Sequence, residues 1–95
     1  MIHAREDYNR IQDPALTQPE LLTPGATPIR EDEPVILFRA QDKHFIKVLN
    51  AYNEMISNDP EMEEDQYQRM SKCLDDHVFR ARAWQHLNGR KSPDL

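Results

Sequence analysis

Three residues near the N-terminus, Arg5, Tyr8 and Arg10, could together bind a phosphorylated base. A tyrosine ring gives a nucleobase a surface on which to stack, and a guanidinium group donates two parallel hydrogen bonds to a phosphate. The spacing i, i+3, i+4 would also place Arg5, Tyr8 and Asn9 on one side of a helix. Ordinary surface charge explains the same residues, and the pattern taken alone favours that simpler interpretation.

Patterns that would support catalysis or metal binding are weak in this sequence. With only two glycines, the chain has no glycine-rich phosphate loop. Cys73 and His77 are four residues apart, but a zinc site needs more ligands than these two. Asp75 and Asp76 fall on different faces of a helix and do not form a general acid/base pair. The sequence therefore predicts a protein that is not an enzyme and that uses neither a metal nor a cofactor.

The net charge of −5 argues against binding to polymeric nucleic acid, because neutralisation of phosphates supplies most of that affinity. A small anion can still bind, and Arg69 is a candidate if its helix face meets a symmetry axis where several copies converge. Cys73 is the only cysteine, so the chain has no internal disulfide, and a reducing compartment fits. We expect neither a signal peptide at the polar N-terminus nor a membrane span.

The fold class predicted from periodicity and proline content is all-α, with a two-helix hairpin as its main element. Val35 and Ile36 are β-branched and leave a strand open as an alternative at that point, although helix is favoured. We expect a single domain over residues 1–95, divided into a short helix at 2–12, a proline-rich connector at 13–34, a bent helix at 35–58, a second hairpin helix at 60–88 and a tail at 89–95.

Both hairpin helices are marked by apolar repeats and by residues typical of helix ends. Phe45, Leu49 and Ile56 repeat at helical spacing, Asp59 precedes Pro60 as a cap and first helical residue, and Gly89 fits a left-handed end. The very short loop requires the helices to run antiparallel. Each helix also carries apolar residues that cannot all face one partner, so we expect a second hairpin from another subunit to cover them. These residues are Ile46, Met55, Phe79 and Trp84.

Two stretches carry a resemblance to a known family: residues 5–11, REDYNRI, and residues 31–42, EDEPVILFRAQD, followed by the helical hairpin. Together they resemble the phage anti-CBASS cyclic-nucleotide sponge family, and the hairpin is similar to that of the phage Thoeris anti-defence sponges. The resemblance implies a homo-oligomer, with a hexamer expected, in the cytoplasm of the infected bacterial host. Such proteins sequester cyclic di- and trinucleotides, including 3′,3′-cGAMP, without cleaving them, so that the CBASS effector stays off.

The resemblance also implies roles for particular residues. Tyr8 would stack on a base of the cyclic dinucleotide, with Arg5 and Asn9 beside it. The connector segment formed by Pro24, Gly25 and Ala26 would close the pocket from a partner subunit. Arg69 would hold the phosphates of a cyclic trinucleotide, together with Thr27. Residues 39–42 would brace the helix bend and the hairpin.

Two alternatives stay open from the sequence. One is a helical-hairpin module, or acidic inhibitor, that binds a host protein, which the net charge and the amphipathic hairpin also fit. The other is a cyclic-nucleotide phosphodiesterase, which the lack of a credible metal or base constellation disfavours.

Overall fold

The computed structural model describes residues 1–10 and 27–92, without the side chains of residues 9 and 10. The chain divides into two compact units, Met1–Leu37 and Phe38–Asp94. The first unit contains a small two-stranded sheet and the second contains two helices, so the protein is mostly helical but not all-α. The expectation of one domain over the whole chain stays a prediction.

The first unit pairs two short parallel strands, β1 (Ile2–His3) and β2 (Pro34–Val35). The Ile2 amide donates to the Glu33 carbonyl at 2.9 Å, and the Ala4 amide donates to the Val35 carbonyl at 3.1 Å. Proline has no backbone N–H to donate to a neighbouring strand, but it is tolerated at the first position of a strand. Sequence analysis was wrong to favour helix from residue 35, since Glu33 precedes proline and is pushed towards extended backbone.

The predicted helix at 2–12 is replaced by β1 and a short 3₁₀ helix, Glu6–Arg10. The backbone groups of Ile2 and Ala4 are already bonded to the 33–35 segment, so those residues cannot take part in a helical turn. The Tyr8 amide donates to the Arg5 carbonyl at 3.1 Å, which is the i to i+3 pattern of a 3₁₀ turn. The helical spacing predicted for residues 5 and 8 is therefore kept over a tighter turn.

The second unit is an antiparallel hairpin of α1 (Phe45–Ser57) and α2 (Glu64–Asn88). Helix α1 begins ten residues later than predicted, because Asp42 forms a turn ahead of it. The Asp42 carboxylate accepts from the His44 amide at 2.7 Å, and its carbonyl accepts from the Phe45 amide at 3.0 Å. The predicted end near Asn58 is confirmed by the Asn58 amide, which donates to the Met55 carbonyl at 3.2 Å.

The start of α2 also differs from the prediction at residue 60. The Asp59 carboxylate accepts from the Glu61 amide at 2.9 Å, so it caps an isolated turn, and Glu63 is extended before the helix begins at Glu64. The predicted glycine end is confirmed. Gly89 has φ of 78°, a region that favours glycine, and its amide donates to the Gln85 carbonyl at 2.7 Å.

The core of the hairpin is small. Four side chains of the described residues are buried: Phe45, Ile56, Val78 and Ala81. A tilted ring contact of 5.9 Å joins Phe45 to His77 across the two helices. With so few buried groups, each one contributes a large share of the burial that pairs α1 with α2.

Backbone contacts close the end of the hairpin where α1 begins and α2 ends. The Gln85 side-chain amide donates to the Ala40 carbonyl at 2.8 Å. The Lys91 amide donates to the Gln41 carbonyl at 2.7 Å, and the Lys43 amide donates to the Lys91 carbonyl at 2.8 Å. The prediction that residues 39–42 brace the hairpin is confirmed by these bonds, although the predicted helix bend is absent because residue 35 lies in a strand.

Both helices leave apolar side chains exposed, as the sequence predicts. Val48, Tyr52 and Met55 form an exposed stripe at i, i+4, i+7 on α1. Trp84 is 42% exposed, and Phe79 is 77% exposed. No helix among residues 1–10 and 27–92 combines the length and apolar character needed to cross a membrane.

Candidate functional site

Arg5 and Tyr8, the central residues of the predicted nucleotide site, are in contact. The Arg5 Cζ atom lies 4.7 Å from the centroid of the Tyr8 ring, and Arg5 Nη1 donates to the Tyr8 hydroxyl oxygen at 3.4 Å. Both side chains are half-buried. A guanidinium group over a tyrosine face is a favourable cation–π arrangement, worth roughly 0.5–1 kcal/mol at an accessible position. We call this unit the Arg5–Tyr8 pair.

Asp7 occupies the edge of Arg5 that would bind a phosphate. Arg5 Nε donates to Asp7 Oδ1 at 3.1 Å, and Arg5 Nη2 donates to Asp7 Oδ2 at 2.8 Å. This two-bond geometry is the one that a phosphate adopts on a guanidinium group. A ligand phosphate must therefore displace the Asp7 carboxylate or bind elsewhere on the pair.

The remaining residues predicted for the dinucleotide site lie outside the described part of the chain. These are the side chain of Asn9 and the connector residues Pro24, Gly25 and Ala26. The structure therefore brings together Arg5 and Tyr8 only, and the predicted closure of the pocket by the connector stays a prediction.

The two residues predicted for a trinucleotide belong to different units of the chain. Thr27 is exposed in the Met1–Leu37 unit, and Arg69 lies on α2 in the Phe38–Asp94 unit. Arg69 Nη2 lies 3.1 Å from Asp65 Oδ2, and both side chains are more than three-quarters exposed. Such a pair one helical turn apart contributes little to stability and is readily exchanged for another anion.

The Cys73 thiol is exposed on α2. Four residues on, His77 contacts the Phe45 ring. Within residues 1–10 and 27–92, no group of three or more His, Cys, Asp or Glu side chains could hold a metal ion. Asp75 accepts a hydrogen bond from the Asn53 side-chain amide at 3.1 Å and so joins the two helices.

A second site, absent from the sequence prediction, is a groove of about 730 Å³ on the hairpin. Among the described residues, its lining contains five basic side chains and no acidic one, which is unexpected on a chain of net charge −5. The uncharged lining residues are Ile46, Asn50, Gln85 and Gly89. We call this concavity the basic groove, and its basic side chains are Lys43, Lys47, Arg82, His86 and Arg90.

The basic groove exists because the hairpin pairs the first turn of α1 with the last turns of α2. Lys43 and Lys47 stand one helical turn apart around the start of α1. Arg82, His86 and Arg90 repeat at i, i+4, i+8 along and just beyond the end of α2. The backbone bonds between residues 41–43 and Lys91 hold these two ends together.

The basic side chains of the groove are not neutralised by any residue in the described ranges 1–10 and 27–92. In the part of the chain that the structure describes, none of the five has a hydrogen-bond or ion-pair partner. Other cations of the same hairpin do have such partners, as Lys72 does with Asp76 at 2.8 Å. The groove therefore concentrates positive charge that can bind an anion.

A pattern in the sequence could have revealed the groove. The repeats at 43 and 47 and at 82, 86 and 90 place basic residues at four-residue spacing on both helices. The sequence does not show that residues 41–43 pair with residue 91. This pairing brings the two basic repeats together.

Comparison of the chain with protein-family models, with curated proteins and with solved structures finds no match.

Proposed function

We propose that this protein binds and sequesters cyclic di- and trinucleotide signals such as 3′,3′-cGAMP, without cleaving them, as a viral anti-defence protein. By holding the signal, it keeps the CBASS effector of the infected bacterial host inactive. The observation that supports the proposal is the Arg5–Tyr8 pair, in which a guanidinium group and an aromatic ring are already in contact. These two groups are complementary to a phosphate and to a nucleobase.

In this proposal, the base stacks on the face of the Tyr8 ring that Arg5 does not cover. Stacking of a base on an aromatic side chain is worth about 1–3 kcal/mol. The neighbouring phosphate replaces Asp7 on Arg5 and keeps the same two-bond geometry. Asn9 and the connector residues 24–26 complete the pocket, and Arg69 serves a trinucleotide.

The proposal includes assembly into a homo-oligomer, with a hexamer expected. Support comes from the exposed apolar residues of the hairpin, above all Met55, Phe79 and Leu87, which are 67%, 77% and 81% exposed. Large apolar side chains left this exposed on a small protein are commonly covered by another chain. A sponge gains from such assembly, since pockets held between rigid subunits need less ordering when the ligand binds.

The first experiment measures binding of 3′,3′-cGAMP by isothermal titration calorimetry to the wild type, Tyr8→Ala and Tyr8→Phe. We expect Tyr8→Ala to lose about tenfold or more in affinity, while Tyr8→Phe keeps the ring and stays close to the wild type. Equal binding by Tyr8→Ala would reject the site, and no micromolar binding by the wild type would reject the function.

The second experiment separates sequestration from catalysis. A wild-type complex with 3′,3′-cGAMP is heat-denatured, and the released nucleotide is analysed by mass spectrometry. Sequestration returns the intact cyclic dinucleotide, whereas a linear product indicates a phosphodiesterase.

A protein-interaction module is the second candidate function, and the exposed apolar residues of the hairpin favour it as well. The two candidates differ in what covers these residues. Mass measurement in solution gives a homo-oligomer for the sponge. A monomer that binds no cyclic nucleotide would favour the interaction module instead.

A further inference from the structure

The basic groove places positive charge where the fold does not need it. Lys43 and Lys47 stand at the start of α1, the positive end of its dipole, and no acid lies in its first turn. Cations at that end of a helix are destabilising by a few tenths of a kcal/mol. Arg90 stands just beyond the negative end of α2 and is favourable there, but it adds to the same local charge.

Four of the twelve lysines and arginines of the chain line the basic groove together with His86, and no acidic side chain of the described residues does so. Repulsion among Lys43, Lys47, Arg82 and Arg90 is a cost to folding that no acidic partner in the described residues offsets. A bound polyanion would remove this repulsion and would satisfy the unpaired donors. The cost is therefore explained if the groove exists to hold such a ligand.

We propose that the basic groove binds a small ligand with consecutive phosphates, of the kind found in a nucleoside 5′-triphosphate or in inorganic polyphosphate. The groove volume of about 730 Å³ lies within the range of small-molecule sites. Arg82 and Arg90 supply planar donor pairs for phosphate oxygens, and Lys43 and Lys47 supply point charges from the opposite helix. The site goes beyond the proposed function, because it uses none of the residues assigned to the cyclic nucleotide.

A small ligand fits these observations better than a nucleic-acid chain. A nucleic acid needs a basic surface that extends along its backbone, and a net charge of −5 would repel its remaining phosphates. The positive charge here is confined to one concavity with a finite volume. Three or four clustered negative charges match the four formal positive charges of the groove.

The test uses the full chain and isothermal titration calorimetry with inorganic tripolyphosphate. The groove variant is Lys47→Gln/Arg82→Gln, and the control is Lys72→Gln/Arg80→Gln, which removes the same two charges outside the groove. Circular dichroism verifies that both variants keep the helical content of the wild type. A parallel titration with ATP shows whether a nucleoside adds to the binding of the phosphates.

We expect tripolyphosphate to bind the wild type and the control variant alike, and the groove variant to bind about tenfold more weakly for each cation removed. Affinity should also fall as NaCl is raised from about 50 to about 300 mM. Tighter binding of ATP than of tripolyphosphate would identify a nucleotide as the ligand, and equal binding would identify the phosphate chain. Absence of saturable tripolyphosphate binding, or equal weakening in both variants, overturns the proposal.

Failure of this proposal can be distinguished from failure of the proposed function. The groove variant keeps Arg5 and Tyr8, so its affinity for 3′,3′-cGAMP should equal that of the wild type. Loss of cGAMP binding in the groove variant would mean that the groove is part of the cyclic-nucleotide site and not a separate one.

Discussion

The Arg5–Tyr8 pair and the basic groove are both rich in cations, but their electrostatic states differ. Arg5 is bonded to residues two and three positions away, Asp7 and Tyr8. The cations of the groove come from the start of α1 and the end of α2, and they have no partner in the described residues. A ligand must therefore compete with Asp7 at the first site, whereas at the second it meets donors that are only hydrated.

This difference affects what each site can select. At the Arg5–Tyr8 pair, a bare anion gains little, because it exchanges one anion for another on Arg5. Affinity there must come from stacking on Tyr8, which favours ligands that carry a base. In the groove, the charge alone attracts the ligand, so binding should follow phosphate count and fall steeply with salt.

The largest expected effect tests whether the groove depends on the packing of α1 against α2. Phe45→Ala deletes one of the four side chains that are buried among the described residues, together with its contact with the His77 ring. We expect a loss of about 3–5 kcal/mol in the free energy of unfolding, measured by urea titration with circular dichroism. Without a paired hairpin, the α1 and α2 cations no longer meet, and tripolyphosphate binding should disappear.

Phe79→Ala is the matched control, because Phe79 is the same residue type and is 77% exposed. We expect it to change the free energy of unfolding by less than about 0.5 kcal/mol in the dissociated chain. An equally large loss in both variants would show that the core of the hairpin extends beyond the four buried residues.

A smaller effect is expected at the Arg5–Tyr8 pair, where a carboxylate of the protein competes with the ligand. Asp7→Asn removes the carboxylate that competes with a ligand phosphate for Arg5. An exposed ion pair is worth at most about 1 kcal/mol, so we expect 3′,3′-cGAMP affinity to rise by up to about fivefold in calorimetry. Asp32→Asn is the control, because Arg30 and Asp32 form an ion pair of the same spacing at 3.3 Å. Weaker binding by Asp7→Asn would mean that Asp7 positions Arg5 on Tyr8.

A still smaller effect tests how the groove holds phosphate. Arg82→Lys keeps the charge of the groove but removes a planar pair of donors. We expect tripolyphosphate affinity to fall by about threefold, less than the loss in Arg82→Gln. A loss in Arg82→Lys as large as that in Arg82→Gln would show that donor geometry, and not the field of the groove, decides the affinity.

How much of this could be predicted from sequence depended on the distance between the residues involved. The apolar repeat of Phe45 and Ile56, the end of α1 near Asn58 and the glycine end of α2 follow from neighbours within one or two turns, and each is confirmed. The contact between Arg5 and Tyr8 is likewise local, and the spacing of three residues was sufficient to predict it.

The late starts of α1 and α2 come from local turns at Asp42 and Asp59, but the other failures come from contacts between distant segments. The predicted helices at 2–12 and from 35 were wrong because β1 pairs with β2, more than thirty residues away. The basic groove was missed because the meeting of Lys43 with Arg90 depends on backbone bonds between residues 41–43 and Lys91. Periodicity gives the face of each helix, but it does not state which ends of two segments are bonded to each other.

The smallest expected effect concerns the ion pair of Lys72 and Asp76, which lies on the same hairpin as the unpaired cations of the groove. A hydrogen bond and the charge of Lys72 lower the pKa of Asp76 below 3.8, and the same contacts with Asp76 raise the pKa of Lys72 above 10.5. The Asp76 contribution to stability is present above its unfolded pKa and is lost as the pH falls through the lowered folded value. The Lys72 contribution is present below its unfolded pKa and is lost as the pH rises through the raised value.

Asp76→Asn should therefore lower the Tm only slightly near neutral pH, since both side chains are exposed and solvent screens the pair. The Tm difference from the wild type should vanish when the pH is low enough to protonate Asp76. A scan of Tm against pH by circular dichroism measures both. The same variant should leave tripolyphosphate binding unchanged, because the groove does not include Lys72. Stronger tripolyphosphate binding by Asp76→Asn would mean that any unpaired cation of the hairpin attracts the ligand. The groove would then not be a distinct site.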